Sequence, residues 1–174
     1  EQEFDRVYVH VFTDGRDTDA KAGLEGIRKL EDKIQKIGVG QIATVTGRFY
    51  AMDRGKHWNQ TESTYQALIV GKGLTAASAI DVITENYRQN IFDEMIPPTV
   101  IMKENKPVAT IGDNDAIIFF NFRSDRALQL TQSFVTPEVV DLPVKHQKLQ
   151  NLFFVTMTQY KEGLPVHIAF APQD

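Results

Sequence analysis

The amino-acid sequence predicts an α/β protein, a layered α/β/α sandwich around a largely parallel or mixed central sheet. Three observations carry this. Short apolar runs with strand character alternate with longer segments whose apolar residues recur every three or four positions, the order that βαβ units produce. The 174 residues suffice for one domain with a real core. A hydrophobic content of 42% and a charged content of 24% are those of an ordinary globular chain.

Alternation in RVYVHVFT (6–13) marks the first strand. A helix follows from Asp19 to Ile37, with Ala20, Leu24, Ile27, Leu30, Ile34 and Ile37 on one face and Gly38 as its stop. QIATVT (41–46) is a second strand. Trp58, Glu62, Tyr65, Leu68 and Ile69 predict a second helix, closed by the glycines of GKG (71–73). Thr75 is expected to cap a third helix through AASAIDVITENYRQN. Pro97, Pro98 and Pro107 predict edge strands or loops over 96–111, because proline cannot donate to a ladder. GDNDA (112–116) is a turn into a strand at 117–122, and a helix over Ser124–Phe134 follows at once. NLFFVTMT (151–158) is a last core strand. Phe119, Phe120 and Phe122 are expected in the core. No internal repeat or low-complexity tract is present.

Composition excludes several functions. The net charge of −4 argues against a nucleic-acid footprint, which needs an excess of Lys and Arg. There is no cysteine, hence no disulfide framework or thiol chemistry. No apolar run approaches the roughly 18 residues that span a bilayer, and no signal-peptide pattern opens the chain. The expectation is a monomer in the cytoplasm, with neither nucleic acid nor membrane as partner. The missing initial methionine and a C-terminus without a closing helix suggest a piece of something longer.

Arginine placement is the sharpest signal. Five of the eight arginines lie in three loops that follow predicted strands: Arg16 in DGRD (14–17), Arg48 and Arg54 after the second strand, and Arg123 and Arg126 after the strand at 117–122. In open α/β sheets ligands bind beyond the carboxyl ends of the strands. A guanidinium is a planar, permanently charged fork that matches phosphate or carboxylate bidentately. Three such loops are expected to bring five guanidiniums into one cleft for a small polyanion, with Asp17 and Asp125 orienting the arginines or contacting a ligand hydroxyl. For any single loop the alternative is a solvated helix start, with the Asp serving the helix N-terminus. Gly15 and Gly47 are turn glycines on either view. His10 reads as a strand residue and His57, His146 and His167 as surface or loop residues, without metal-ligand spacing. FTDGRDTD has a faint likeness to aspartyl-nucleophile phosphatases, but Arg16 stands where their second aspartate belongs. No phosphate-binding glycine motif occurs, and no Ser/His/Asp set can be assembled.

VYVHVFTDGRD, IATVTGRFYAMDR and AIIFFNFRSDRA, in this order and followed by YKEGLPVHIAFAP, resemble the successive motifs of cofactor-independent phosphoglycerate mutase. That family interconverts 3- and 2-phosphoglycerate without 2,3-bisphosphoglycerate. The resemblance covers only its substrate-holding phosphotransferase domain, about a third of the family's length. It implies residues 1–160 as that domain and 161–174 as an exit linker toward a phosphatase-like domain of the same parent chain. That second domain would carry two Mn2+ and the serine nucleophile, with no metal held by this chain. The resemblance further implies Arg16, Asp17, Arg48, Arg54, Arg123 and Arg126 as substrate-binding residues, with Asp17 and Arg123 also catalytic. Asp17 would contact the glycerate hydroxyls and exchange the proton, a task for which arginine's high pKa makes it the less natural base. Ser124 stands where proline is common and Phe49 where tyrosine is usual. A histidine upstream and a lysine downstream that the family adds to the site are not in this chain. The isolated domain is therefore expected to be inactive as a mutase. The alternative function is a stand-alone binding module for a small phosphorylated acid.

Overall fold

The computed structural model describes residues 4–171. In chain order its elements are β1 (Tyr8–Thr13), α1 (Gly23–Ile37), β2 (Gln41–Gly47), the one-turn α2 (Arg48–Ala51), α3 (Trp58–Ile69), β3 (Leu74–Ala76), α4 (Ala79–Arg88), β4 (Thr99–Lys103), β5 (Lys106–Pro107), β6 (Ala116–Phe119), α5 (Ser124–Val135), β7 (Phe153–Thr156) and β8 (His167–Ile168). Two 3-10 turns occupy Asp93–Met95 and Pro137–Val139. The α/β class and the mixed sheet agree with the sequence expectation. The chain forms two compact units, one of Glu1–Tyr50 and Gln66–Thr110, the other of Ala51–Tyr65 and Ile111–Asp174.

The first unit holds a mixed sheet in the order β1-β2-β4-β3, with β5 paired to β4. β1 runs parallel to β2, so that Thr13 lies opposite Gly47 at their carboxyl ends. Every residue of β2 after Gln41 is buried, as a central strand requires. Ile27 of α1 and Ala79, Val82 and Ile83 of α4 share one core with Ile42, Val45, Ile96 and Ile101. α1 starts at Gly23 rather than at Asp19. Its first turn has no local side-chain cap; instead the buried Asp93 accepts the N–H of Gly23 at 2.6 Å. Gly38 ends α1 as expected, in the left-handed region at φ 81°.

Two expectations fail in this unit. Thr75 does not cap α4 but lies within β3; the cap is Ser78, whose Oγ accepts the N–H of Asp81 at 3.1 Å. The segment 96–111 is not confined to the edge either, since β4 pairs with β2 on one side and β3 on the other. The prolines permit this because Pro97 and Pro98 precede the strand, where no ladder N–H is lost, and Pro107 sits in β5.

The second unit holds the parallel sheet β6-β7-β8. Its core is aromatic. Tyr65 meets Phe134 edge-on with centroids 4.7 Å apart, Phe134 lies 5.9 Å from Phe154, and Phe119 lies 6.0 Å from Tyr160. Ala127, Leu130 and Phe134 form the buried stripe of α5. Of the three phenylalanines expected in the core only Phe119 is buried; Phe120 is 77% and Phe122 58% exposed. The apolar run is continuous in sequence, but β6 ends at Phe119 and the pleat turns Ile118 outward too. His167 is a strand residue stacked on Phe153, with centroids 4.2 Å apart. His146 is a loop residue whose ring is nearly buried and bonded to Glu62 at 2.7 Å.

Candidate functional site

The first unit gathers one arginine cluster. The Thr13 hydroxyl donates to the carbonyl of Asp93 at 2.7 Å, fixing the end of β1. Asp14 follows, and its Oδ1 accepts the N–H groups of Arg16 and Asp17, each at 3.3 Å, closing an Asx turn. Gly15 stands in that turn at φ 68°, where a Cβ would come within 2.8 Å of the Asp93 Cβ. Gly47, opposite Thr13, lies against the same segment around Asp93: a Cβ there would come within 2.7 Å of the Asp93 carbonyl oxygen. The parallel register thus delivers the loop after β1 and the loop after β2 to one place.

Arg48 begins α2 and is 4% exposed. Its Nη1 donates to Asp14 and, at 2.8 Å, to Asp17 Oδ2. Burial opposes the charge on Arg48, but the two carboxylates outweigh it and hold its pKa above the ordinary value. Burial likewise pushes the Asp14 carboxyl up, while the Arg48 guanidinium and the N–H groups of Asp17 and Arg16 more than reverse this and hold it low. Arg16 is more open and reaches Glu94 at 3.3 Å. Two guanidiniums here face Asp14, Asp17 and Glu94, a net charge of −1. An apolar groove of about 220 Å³ beside β1, lined by Val11, Gly23, Ile27, Leu30 and Asp93 among others, carries no arginine and offers an anion no counter-charge.

The second unit gathers the other arginines. Tyr160 donates to the carbonyls of Phe119 and Asn121, and Thr158 to that of Phe122 at 2.8 Å. These bonds hold the segment between β6 and α5. Arg123 occupies the N-cap position of α5, and its Nε donates to Asp125 Oδ1 at 2.8 Å. Arg54 donates to the other oxygen of the same carboxylate. Burial raises the pKa of Asp125, and the bonds from Arg123 and Arg54 outweigh this to hold it low. Arg123 is 59% and Arg54 52% exposed. Two open guanidiniums share one carboxylate, leaving a net +1, and α5 adds the positive end of its dipole. Arg126 directs Nη1 to the Met52 carbonyl at 3.2 Å.

Of the six residues singled out in the sequence, Arg16, Asp17 and Arg48 lie just beyond the ends of β1 and β2, Arg123 and Arg126 lie at the start of α5, and Arg54 lies in the loop between α2 and α3. Arg16, Asp17 and Arg48 come together in one unit; Arg54, Arg123 and Arg126 come together in the other. Sequence reading gave no role to Asp14, Glu94, Asp53 or Gln129, all of which hold these arginines or their loops. Asp14 had a local signal in the D-G-R-D turn, and Asp53 bonds the N–H groups of Gly55 and His57 in its own loop; Glu94 and Gln129 act across long sequence separations that leave no local signal. Among the described residues no group of three or more His, Cys, Asp or Glu side chains could hold a metal ion. No helix of the described residues is long and apolar enough to cross a membrane.

Residues 1–162 match the family model described as the BPG-independent PGAM N-terminus. The chain is 48% identical to the 2,3-bisphosphoglycerate-independent phosphoglycerate mutase of Clostridioides difficile, over 97% of this chain and 32% of that one. It is 47% identical to the enzyme of the same name from Acetivibrio thermocellus, over 96% of this chain and 33% of that one. Among solved structures, Leishmania mexicana phosphoglycerate mutase at low cobalt concentration superimposes with a TM-score of 0.87 at 27% identity, over 97% of this chain and 32% of that one. The chain spans about a third of the length of these relatives.

Proposed function

We propose a function from one premise: this chain belongs to the family of BPG-independent phosphoglycerate mutase N-termini. On this reading residues 1–160 are the substrate-holding phosphotransferase part of a cytoplasmic, monomeric glycolytic isomerase. Residues 161–174 lead toward a phosphatase-like domain of the parent chain. The substrates are 3- and 2-phosphoglycerate, and the isolated domain is inactive as a mutase.

The observation that carries this is the Arg54–Asp125–Arg123 arrangement, in which two exposed guanidiniums share one carboxylate beside a helix N-terminus. A phosphate or carboxylate arriving there meets free N–H forks, an uncompensated positive charge and the helix dipole together. Arg54, Arg123 and Arg126 hold the anionic groups of the phosphoglycerate. Arg16 and Arg48 are further substrate-binding residues, in a cluster whose excess of carboxylates suits the hydroxyls of the substrate. Asp17, 63% exposed and oriented by Arg48, accepts hydrogen bonds from the glycerate hydroxyls.

In the reaction, a serine oxygen of the phosphatase-like domain bonds to phosphorus as the bond from phosphorus to the substrate oxygen breaks. That oxygen takes up a proton and becomes a hydroxyl. The glycerate stays bound and turns, and the oxygen of its other hydroxyl bonds to phosphorus, giving up its proton, as the bond from phosphorus to the serine oxygen breaks and the serine oxygen leaves. Asp17 is the group of this chain that carries the proton between the two hydroxyls, and Arg123 steadies the charge on the transferring group. Two Mn2+ in the phosphatase-like domain supply Lewis acidity to that serine when bound; the described residues of this chain hold no ligand set for them.

The test is kinetic. In the full-length enzyme Arg123→Ala and Arg126→Ala each lower kcat/KM at least tenfold, with unfolding by urea followed in parallel to separate loss of fold. Wild-type kinetics in either variant would sink the assignment of that arginine.

A further inference from the structure

We infer that Asp53 and Gln129 form a positioning lock for Arg54, so that the aim of this arginine is set by two buried side chains that do not themselves touch substrate. The inference rests on the reading of Arg54 as a substrate-holding residue.

The loop that carries Arg54 lies between α2 and α3, and by itself it has no reason to be rigid. It contains Gly55, and Lys56 stands at φ 60°, in the left-handed region that a side chain ordinarily avoids. Every group flanking Arg54 is nevertheless tied down. Asp53 Oδ2 accepts the N–H of Gly55 at 3.1 Å and the N–H of His57 at 2.8 Å, and Oδ1 bonds His57 Nδ1 at 2.9 Å. The Asp53 side chain is 9% exposed. Burial pushes its carboxyl up, and the bonds from His57, Gln129 and Gly55 overcome this and hold it low, so the lock is ionised at neutral pH.

Gln129 closes the lock from α5. Its Nε2 donates to Asp53 Oδ2 at 2.9 Å and to Thr61 Oγ1 at 3.2 Å, and its Oε1 accepts the N–H of Lys56 at 2.8 Å. Asp125 and Arg126 are neighbours on α5 and each lies about one helical turn before Gln129, on the side that meets this loop. They grip it at the Arg54 guanidinium, the Met52 carbonyl, and the Asp53 carboxylate with the Lys56 amide. One helix face thus sets all three arginines of the cluster as a block. Asp125 alone could not do this, because an exposed ion pair between two flexible side chains fixes little geometry. The several bonds converging on the Asp53 carboxylate and Gln129 behind it fix the backbone from which Arg54 projects.

The experiment is a double-mutant cycle in the full-length enzyme, assayed with 3-phosphoglycerate. Asp53→Asn removes the charge and places an amide where the lock needs an acceptor, and it lowers kcat/KM at least fivefold. Arg54→Ala lowers it at least tenfold, and the variant carrying both changes loses no more than Arg54→Ala alone, because Asp53 acts through Arg54. Asp53→Asn with Gln129→Glu moves the carboxylate to the other partner and restores at least half of the activity lost by Asp53→Asn. Independent, multiplicative losses in the double variant, or a fall in thermal midpoint with kcat/KM within twofold of wild type, would overturn the lock. Wild-type kinetics in Arg54→Ala would instead overturn the reading of Arg54, whatever Asp53→Asn does.

Discussion

Arg48 and Arg123 both stand at a strand end, yet their surroundings are opposite. Arg48 is 4% exposed and held by Asp14 and Asp17; Arg123 is 59% exposed and shares Asp125 with Arg54. The guanidinium of Arg48 is more than neutralised, so it organises two loops and two acids. The pair around Asp125 keeps a spare positive charge in water, so it is ready to receive an anion. The same residue type is enclosed by carboxylates in one unit and open to water in the other. What separates them is burial and the ratio of carboxylates to guanidiniums.

Substituting Arg48 probes the sharpest consequence of this contrast. Removing one partner of a buried ion pair leaves an unpaired charge behind. Arg48→Ala should therefore cost about 3 kcal/mol of stability, measured by urea unfolding, besides its loss of activity. A cost below about 1 kcal/mol would mean that Arg48 resembles Arg123 after all.

Acid separates the units by a second route. His10, on the strand that ends at Asp14, bonds Thr44 at 2.9 Å, and burial lowers its pKa to about 4. The unfolded chain binds a proton on this ring near pH 6.5 and the folded chain does not. Stability is then fully present above pH 6.5 and falls as the pH drops toward 4, by up to about 3 kcal/mol. Below the ordinary aspartate range, stability falls further as Asp14, Asp53 and Asp125 take up protons. Urea midpoints between pH 7 and 4 should show the first loss, and His10→Gln should flatten it. An unchanged slope in that variant would place the titrating group elsewhere.

The smallest expected effect is the most telling for the second unit. Arg123→Ala should change stability by less than about 1 kcal/mol, because exposed pairs contribute little. Raising the salt concentration should erase even that difference. A larger, salt-insensitive loss would make Arg123 a structural residue and weaken its place in recognition.

Much of the fold was legible along the chain because it depends on local periodicity and local stops. The apolar face of α1 and its arrest at Gly38, the strand at 41–47, and the helix from Ser124 all follow from short-range patterns. The six candidate residues stood out for a related reason: arginines crowded into a few loops are conspicuous in an acidic chain whose lysines are spread, and three ordered motifs carry the family likeness. Elements whose cause lies far away in sequence were not legible. α1 begins at Gly23 because Asp93, 70 residues on, caps it. β4 is interior because both of its neighbours come from other parts of the chain. Phe120 faces water although its neighbours in sequence are apolar, since nothing in the run says where the pleat ends. The sequence by itself determined which side chains reach the strand ends. Only the tertiary structure decided which of them are neutralised and which remain charged, because that depends on carboxylates and backbone amides that long-range folding brings within 3 Å.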